Sequence, residues 1–390
     1  AIMKSNKNIL EVAQVFFKLG LIAFGGPAAH VSMMEDEIIT KRKWMDRQHF
    51  LDLMGATNLI PGPNSTEMTM HCGYQRAGVI GLFVAGFCFI FPAIVITCIL
   101  AFLYVEYGTM PQVEQFVFGI KPAVLAIIAG AVLKLGKKAL KSWELGVLGA
   151  FVIAASLSGI NEVLALLGAG ILGAIIFYSQ EKKTGKSYKS LLPFLSLNLT
   201  TAVIVKSAIP AMKVFWIFLK VGAVLYGSGY VLFAYLEDEL VSAGYMTMAE
   251  LLDAIAVGQF TPGPVLSTAT FIGYQLAGFK GAMAASVGIF LPSFVFVWML
   301  NPLVKKMRSS KFLGYFLDSV NIAAVSIMLA VLFTMGKETI FPTLNEEMLF
   351  SWQALVIAAL SFFFVFGPKK LNSMWVVIGG GFLGYLLSFV

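Results

Sequence analysis

Long apolar runs, separated by short polar stretches, occupy most of the chain and predict an all-α membrane protein. The first run covers about residues 9–29 and is interrupted by Gly25-Gly26-Pro27. Four longer runs follow at about residues 79–104, 112–134, 142–158 and 161–179. Since a helix needs about 20 apolar residues to cross the hydrocarbon core of a bilayer, these four runs predict transmembrane helices.

Two shorter apolar runs, about residues 48–60 and 64–77, stand between the first run and the longer ones and are separated by Pro61-Gly62-Pro63. Each is too short to cross a bilayer as a helix. Proline removes a backbone donor and clashes with the preceding turn. Backbone freed in this way is tolerated at membrane depth only where it is buried in protein or lines a cavity. We therefore predict a re-entrant hairpin of two half-helices around this PGP motif.

The same order of elements recurs about 200 residues later in the chain, which indicates an internal duplication. The matching residues are Lys18, Gly20 and Gly25 with Lys220, Gly222 and Gly227; Glu35-Asp36-Glu37 with Glu237-Asp238-Glu239; Asp52 and Pro61-Gly62-Pro63 with Asp253 and Pro262-Gly263-Pro264; and Gly73-Tyr74-Gln75, Gly78, Gly81 and Pro92 with Gly273-Tyr274-Gln275, Gly278, Gly281 and Pro292. We predict an N-terminal repeat at residues 1–180, a basic linker with a connecting apolar segment at 181–211, and a C-terminal repeat at 212–390.

The charges beside the two acidic triplets predict that the repeats are inverted in the membrane. The loop after Glu35-Asp36-Glu37 carries four cations (Lys41, Arg42, Lys43 and Arg47), whereas the loop after Glu237-Asp238-Glu239 has no Lys or Arg before the next apolar run. Because cytoplasmic loops collect Lys and Arg, the first loop is predicted inside and the second outside. Each repeat then contains a broken first helix, the re-entrant PGP hairpin and four transmembrane helices.

The number of crossings depends on the first segment of each repeat, which either crosses or is re-entrant. If both first segments are re-entrant, the apolar stretch at about residues 191–209 must cross instead. The chain is expected to cross nine or ten times, and the repeats are inverted in either case.

Composition agrees with this fold and narrows the function. Of the 390 residues, 58% are hydrophobic and 13% are charged, against about 45–50% and 25% in globular proteins. The net charge of +7 comes from cation clusters between apolar runs, which indicate topology and not nucleic-acid binding. The three cysteines and three histidines lack metal-ligand or disulfide spacing, so neither a metal nor a cofactor is predicted. No cleaved signal peptide is expected. Without an HExxH or a P-loop motif, the chain is not expected to be an enzyme or an ATP-driven pump.

The two PGP motifs predict an anion-binding site. Matched proline breaks in inverted halves should meet near the bilayer midplane. The half-helices that follow them begin with free N–H groups, a partial charge of about +0.5 each and hydroxyl donors. The predicted substrate-binding residues are Lys18, Gly25, Gly26, Asn58, Pro61, Gly62, Pro63, Asn64, Ser65, Thr66, Lys220, Gln259, Thr261, Pro262, Gly263, Pro264, Ser267 and Thr268; no residue is predicted to be catalytic.

Several charged residues near this site allow two interpretations. Lys18 and Lys220 either add positive charge to the site or extend their amines to the membrane interface. Glu67 either forms a capping box with Asn64 or forms a proton-accepting pair with His71, four residues along one helix face. Arg76 is expected to be an interfacial anchor.

The motifs around the breaks resemble the chromate ion transporter (CHR) family in its two-domain form. The resemblance rests on Phe16-Phe17-Lys18-Leu19-Gly20, Phe24-Gly25-Gly26-Pro27-Ala28-Ala29-His30, Ile60-Pro61-Gly62-Pro63 and the stretch from Gly73-Tyr74 to Gly81, and it covers both halves. It implies a multi-pass carrier in the bacterial inner membrane that exports chromate, with sulfate as a related oxyanion. The second half departs from the family in having Tyr226-Gly227-Ser228-Gly229, and Glu67 stands where many relatives carry an uncharged polar residue.

We therefore expect a secondary transporter of oxyanions that works by alternating access around a midplane site. The alternatives are an anion channel and a proton-coupled transporter of another small anion. The expected partners are the oxyanion and the lipid bilayer, and the sequence leaves a homodimer open.

Overall fold

The computed structural model describes residues 2–24, 27–57, 60–108, 110–182, 209–226, 231–301, 310–344, 347–348, 350–367, 371 and 373–389. The helices are α1 (Ile2–Ile22), α2 (Pro27–Glu35, continued by a π-helical turn at Asp36–Lys41), α3 (Arg47–Thr57), α4 (Asn64–Tyr107), α5 (Pro111–Ala139), α6 (Trp143–Leu157), α7 (Glu162–Lys182), α8 (Ala211–Val224), α9 (Leu232–Leu236, continued by a π-helical turn at Glu237–Ser242), α10 (Met248–Phe260), α11 (Thr268–Leu300, preceded by a 3₁₀ turn at Val265–Ser267), α12 (Lys311–Ile340), α13 (Trp352–Phe366) and α14 (Ser373–Leu387).

Five of these helical stretches are long and apolar enough to cross a membrane: Asn64–Tyr107, Val113–Ala139, Glu162–Ser179, Val265–Leu300 and Lys311–Ile340. Three shorter apolar helices are α6, α13 and α14. The prediction of an all-helical polytopic membrane protein is confirmed, apart from a two-residue antiparallel pair, β1 (Thr343–Leu344) with β2 (Glu347–Met348), that the sequence did not indicate.

The first arm of α4 folds back on the second arm. Ala77 (φ −139°, ψ 21°) and Gly78 (φ 65°, ψ −153°) interrupt the helix, and the backbones of Gly73 and Gly81 then lie in contact. A Cβ added to Gly73 would stand 2.3 Å from the carbonyl oxygen of Gly81. Residues 64–76 therefore form a short arm antiparallel to the long arm at 79–107.

Helix α11 has the same construction. Ala277 (φ −149°, ψ 27°) and Gly278 (φ 61°, ψ −154°) interrupt it, and a Cβ on Gly273 would stand 2.3 Å from the carbonyl oxygen of Gly281. Both halves of the chain therefore place a short arm directly after the PGP motif.

The broken helices and the uninterrupted helices pack as two groups. In one group α1 packs against α4, α8 packs against α11, and α4 contacts α11. In the other, α5 packs against α13 and α14, while α12 packs against α5, α6 and α7. The two groups touch differently in the two halves, because α10 packs against α5, α12 and α14 whereas the principal contacts of α3 are with α4.

Candidate functional site

Each PGP motif is hydrogen-bonded to the end of the first helix of the other half of the chain. The Gly62 N–H donates to the carbonyl oxygen of Leu225, which caps α8, at 2.6 Å. The Gly263 N–H donates to the carbonyl oxygen of Ala23, just beyond α1, at 2.9 Å. Four interruptions of helical structure, two from each half, are thereby joined in two reciprocal pairs.

His30 connects the break after α1 to the start of α4. Its side chain is buried, with Nε2 3.1 Å from the carbonyl oxygen of Ala23 and Nδ1 3.3 Å from the hydroxyl of Ser65. Since a carbonyl oxygen only accepts, Nε2 carries a proton, and Nδ1 of the neutral ring accepts from Ser65. The spacing of the histidines did not indicate a role for His30, and the sequence signal that marks it is its place at the end of the Gly25-Gly26-Pro27-Ala28-Ala29 run.

Glu67 lies over the PGP break of its own half. The side chain is 0% exposed, and neither carboxylate oxygen has a hydrogen-bond partner. A Cβ placed on Gly62 would stand 2.2 Å from Oε1 of Glu67 and 2.5 Å from the Oγ of Ser293, whose hydroxyl is also buried and without a partner. The carboxyl group and the Ser293 hydroxyl therefore flank the same point of the backbone.

One of the two sequence-based interpretations of Glu67 needs correction, and the proton-accepting pair with His71 stays a prediction. The capping box is wrong, because the residue that caps α4 is Pro63, no side chain caps this helix end, and Glu67 makes no hydrogen bond. Glu67 also makes no hydrogen bond to His71, whose Nδ1 lies 3.1 Å from Oδ1 of Asn301. Glu67 and His71 are thus two separate buried groups on one arm.

The other predicted site residues divide by what their side chains contact. The four prolines of the PGP motifs are buried. Thr261 and Thr268 donate their hydroxyls to backbone carbonyls of Val257 and Val265. Three of these predicted residues have a buried side-chain atom without a hydrogen-bond partner among the described residues: Thr66 (Oγ1), Gln259 (Nε2) and Ser267 (Oγ). Gly25, Gly26 and Asn58 lie outside the described residues.

Lys18 and Lys220 are paired with carboxylates of the two acidic triplets. Nζ of Lys18 lies 3.6 Å from Oε2 of Glu37, and Lys220 pairs with Glu239; the lysine side chains are 54% and 52% exposed. Glu37 also accepts from Lys41 at 3.2 Å, and a hydrogen bond to Asp36 raises the pKa of Lys41. The structure brings these lysines to the triplets, so their positive charge is already matched.

A cavity of about 1150 Å³ is lined by a cluster of lysines and also by Asn64, the residue that follows the first PGP motif. Its basic end is lined by Lys134, Lys137, Lys138 and Lys141, of which Lys141 forms an ion pair with Asp318 at 2.6 Å. Its wall also includes Met54, Thr57, Asn64, Val231 and Asn321. The residue that begins α4, Asn64, therefore borders the same cavity as the lysine cluster.

The corresponding region of the other half contains an ion-pair cluster and fewer partly exposed side chains. Two residues that match half-buried residues of the cavity wall are fully buried here: Phe233 matches Val31, and Ile255 matches Met54. Here Lys121 of α5 forms an ion pair with Asp253 of α10 at 2.8 Å, and the Tyr104 hydroxyl donates to Asp253 at 2.5 Å. This cluster ties α10 to α4 and α5.

Two signals in the sequence indicate the cluster of Lys121, Asp253 and Tyr104. Asp253 is one of the residues duplicated between the halves, where Asp52 matches it. Lys121 lies within a long apolar run, where an ionisable residue is functional by default. Their pairing could not be foreseen, because it joins residues of different halves.

The chain is similar to known proteins over both halves. The profile of the chromate transporter family matches residues 10–174 and 212–385. A probable chromate transport protein of Synechococcus elongatus is 27% identical over 341 residues, covering 85% of this chain and 86% of the relative. The chromate transport protein of Pseudomonas aeruginosa is 26% identical over 388 residues, covering 95% of this chain and 91% of the relative.

A shorter relative aligns with about half of the chain. An uncharacterized transporter of Bacillus subtilis is 28% identical over 188 residues, which cover 93% of that protein and 46% of this chain. No solved structure matches the chain. Since the family profile matches most of both halves of this multi-pass membrane protein, the chain belongs to the chromate transporter family.

Proposed function

We propose that the chain is a secondary transporter that moves chromate, and sulfate as a related oxyanion, out of the cell through the bacterial inner membrane. The observation that carries this proposal is the pair of reciprocal hydrogen bonds between the four helix breaks, one of which directly precedes Asn64 in the wall of a lysine-lined cavity. Broken helices from two repeats that meet at one place are typical of transporter binding sites.

Two inverted repeats account for the paired construction. The matched Ala-Gly turns of α4 and α11 and the reciprocal bonds of the PGP motifs support a duplication. So does the half-length relative from Bacillus subtilis. The difference in basic charge beside the acidic triplets supports opposite orientations in the membrane.

The ion pairs of the first segments support a re-entrant path. Along α1, Glu11 pairs with Arg42 and Lys18 pairs with Glu37, so the chain beyond α2 runs antiparallel to α1. In the second half Lys220 pairs with Glu239 in the same way. This arrangement favours nine crossings and a crossing at residues 191–209, a stretch that lies outside the described residues.

The cavity and the first PGP break offer an oxyanion positive charge and hydrogen-bond donors. The four lysines are at the cytoplasmic ends of their segments by the positive-inside rule, and clustered cations raise the local concentration of an anion. At the inner end, the start of α4 supplies a helix N-terminus with its partial positive charge. A tetrahedral dianion accepts hydrogen bonds only, so a site of amide and hydroxyl donors suits it.

One-sided closure favours a carrier over a channel. With the orientation that the positive-inside rule gives, the Lys121, Asp253 and Tyr104 cluster would close the exterior side, and the lysine-lined cavity would open to the cytoplasm. In the outward-open state, α3 would pack beside Asn321. This packing would correspond to that of α10, which here packs beside Lys121. Export needs no other driving ion, because a dianion leaving a cell with a negative interior gains about 4.6 kcal/mol per 100 mV.

Flux into and out of proteoliposomes tests the proposal. Purified protein should take up labelled chromate and sulfate with saturable kinetics, and unlabelled anion on the opposite side should accelerate the exchange. Non-saturating currents that follow the voltage linearly would indicate a channel. Absence of flux for both anions would refute oxyanion transport.

A further inference from the structure

Glu67 is a buried carboxylate beside Gly62, in the first PGP break of the proposed transport site. It has no exposed surface, no hydrogen bond and no ion pair among the described residues. Its Oε1 and the unpartnered Ser293 hydroxyl both point at Gly62, whose N–H holds the end of α8. Removing an ionised carboxylate from water without a cation is very unfavourable, whereas a protonated carboxyl group needs only hydrogen-bond partners.

The groups around Glu67 do not supply a counter-charge. From its own arm comes His71, which contacts Asn301 of α11. From α2 comes His30, which is engaged with Ala23 and Ser65. Tyr226, just beyond α8, is close enough for electrostatic interaction with Glu67 but is not a cation.

Cations on the neighbouring elements are paired elsewhere. Lys18 of α1 pairs with Glu37, Arg76 of the Ala-Gly turn in α4 pairs with Glu11 at 2.6 Å, Arg47 of α3 pairs with Glu35 at 3.0 Å, and Lys121 pairs with Asp253 of α10. The side chain of Asp52, also on α3, is outside the described part of the chain. The described surroundings thus offer Glu67 hydroxyls, rings and backbone, but no positive charge.

An oxyanion bound at this break would make the ionised form of Glu67 even less favourable. Glu67 is one helical turn beyond Asn64, which lines the cavity. Two negative charges this close in a poorly screened site repel each other strongly. An oxyanion can therefore occupy the break readily only while the Glu67 carboxyl group is neutral.

We propose that Glu67 carries one proton with each oxyanion, which makes the protein a proton–oxyanion symporter; this inference rests on the proposed function. A proton from water on the side where the anion enters forms an O–H bond with a carboxylate oxygen. The O–H bond breaks on the other side, and the proton returns to water as the anion leaves. The matching positions in the other half are Ser267 and Thr268, so the site has one such carboxyl group per cycle. A dianion with one proton still carries net negative charge, and the membrane potential still drives it outward.

Sulfate accumulation at zero membrane potential tests the inference. Sulfate is the better probe, because chromate itself takes up a proton near neutral pH. With the potential clamped by potassium and valinomycin, a pH difference of one unit should hold about a tenfold sulfate gradient in wild-type proteoliposomes, with sulfate concentrated on the alkaline side. A pH dye should report protons moving in the same direction as sulfate.

Glu67→Gln should still exchange sulfate, but sulfate should equalise across the membrane and no proton should accompany it. Glu67→Asp should retain the pH-driven gradient. Glu162→Gln is the matched control, since Glu162 is also buried but accepts a hydrogen bond from Ser156 at 3.1 Å; it should behave as wild type. Even if Glu67→Gln does not fold, the dye measurement on wild type shows whether protons move with sulfate.

Two outcomes would overturn the inference in distinguishable ways. If wild type transports sulfate without proton movement, or if Glu67→Gln keeps the tenfold gradient, Glu67 carries no proton and oxyanion transport stands. If wild type transports neither sulfate nor chromate, the proposed function fails and this inference fails with it.

Discussion

Glycine is required at both PGP breaks by backbone conformation, and at Gly62 also by space. Gly62 has φ 145° and Gly263 has φ 90°, values that side chains with a Cβ rarely adopt. At Gly62 a Cβ would also displace Glu67 and Ser293, while at Gly263 it would press on Ala93 at 2.8 Å. Since both N–H groups hold the first helix of the other half, a shift at either glycine disturbs the junction of the halves.

We expect Gly62→Ala to abolish transport and Gly263→Ala to reduce it, each with a cost of about 1–3 kcal/mol from backbone strain. Proteoliposome flux and the melting temperature in detergent measure the two effects. Gly336→Ala is the control, because this helical glycine has no atom within 4 Å of an added Cβ. The control should transport normally and be up to about 1 kcal/mol more stable. Normal flux in Gly62→Ala would contradict the role of the break.

At this scale the sequence indicated the positions of the breaks but not their partners. Proline and glycine interrupt helices through local chemistry, so Pro61-Gly62-Pro63 could be located without a structure. The choice of Leu225 as acceptor for Gly62 depends on long-range packing. Ser293 was missed for the same reason, although it follows Pro292, which is duplicated between the halves.

The α3 and α10 helices are matching elements with different neighbours, and in the proposed transport cycle this difference separates the open side from the closed side. Helix α10 is anchored to α5 by the Lys121 and Asp253 pair, whereas the region beside α3 opens into the cavity. Losing one partner of a buried ion pair costs about 3–5 kcal/mol, because the other charge stays buried. The closed side should therefore depend on this pair.

We expect Lys121→Met to open the exterior side. A cysteine placed at Ile255, which is 0% exposed, should react with a membrane-impermeant thiol reagent from outside at least about tenfold faster in Lys121→Met than in an otherwise wild-type background. Lys141→Met is the control, because its pair with Asp318 is at the cavity and 59% of the lysine side chain is exposed. Equal labelling rates in all three backgrounds would show that the cluster is not a gate.

We also expect the cavity lysines to steer the anion electrostatically. Replacing Lys134, Lys137 and Lys138 together with Gln should raise the KM for sulfate roughly three- to tenfold at low ionic strength. The difference should shrink as salt is added, because the screening length falls to about 10 Å at 0.1 M. Lys280→Gln, an exposed lysine beyond the Gly278 turn, serves as the control. A KM change that salt does not alter would mean direct contact or misfolding.

Element types could be predicted well because apolar run length and proline spacing are local properties. Helices α5, α6 and α7 begin within about two residues of the predicted runs. Helix α3 covers Arg47–Thr57, and the residues that would extend it to the predicted end lie outside the described part of the chain. The β1 and β2 pair was missed because its short polar stretch lacks a strand pattern. The closure of one side could not be predicted, since the matching sequences of both halves are compatible with either packing.

The whole molecule combines two symmetric sets of elements in an asymmetric arrangement. The symmetric features are the paired breaks and the short arms, and the asymmetric ones are the open cavity and the Lys121 cluster. In an inverted-repeat transporter, exchanging the packing of the two repeats converts the inward-open into the outward-open state. Opposite orientation of the halves is the condition on which this exchange depends.

Cysteine labelling at two matched loops tests that condition most directly. With Cys72, Cys88 and Cys98 replaced by Ala, single cysteines are placed at Lys43 and Ser242, both exposed residues that follow the acidic triplets of the two halves. In intact cells, an impermeant maleimide should label Ser242→Cys at once, and it should label Lys43→Cys only after the membrane is permeabilised. Labelling of both positions from the same side would contradict the inverted arrangement, and with it alternating access by exchange of the two repeats.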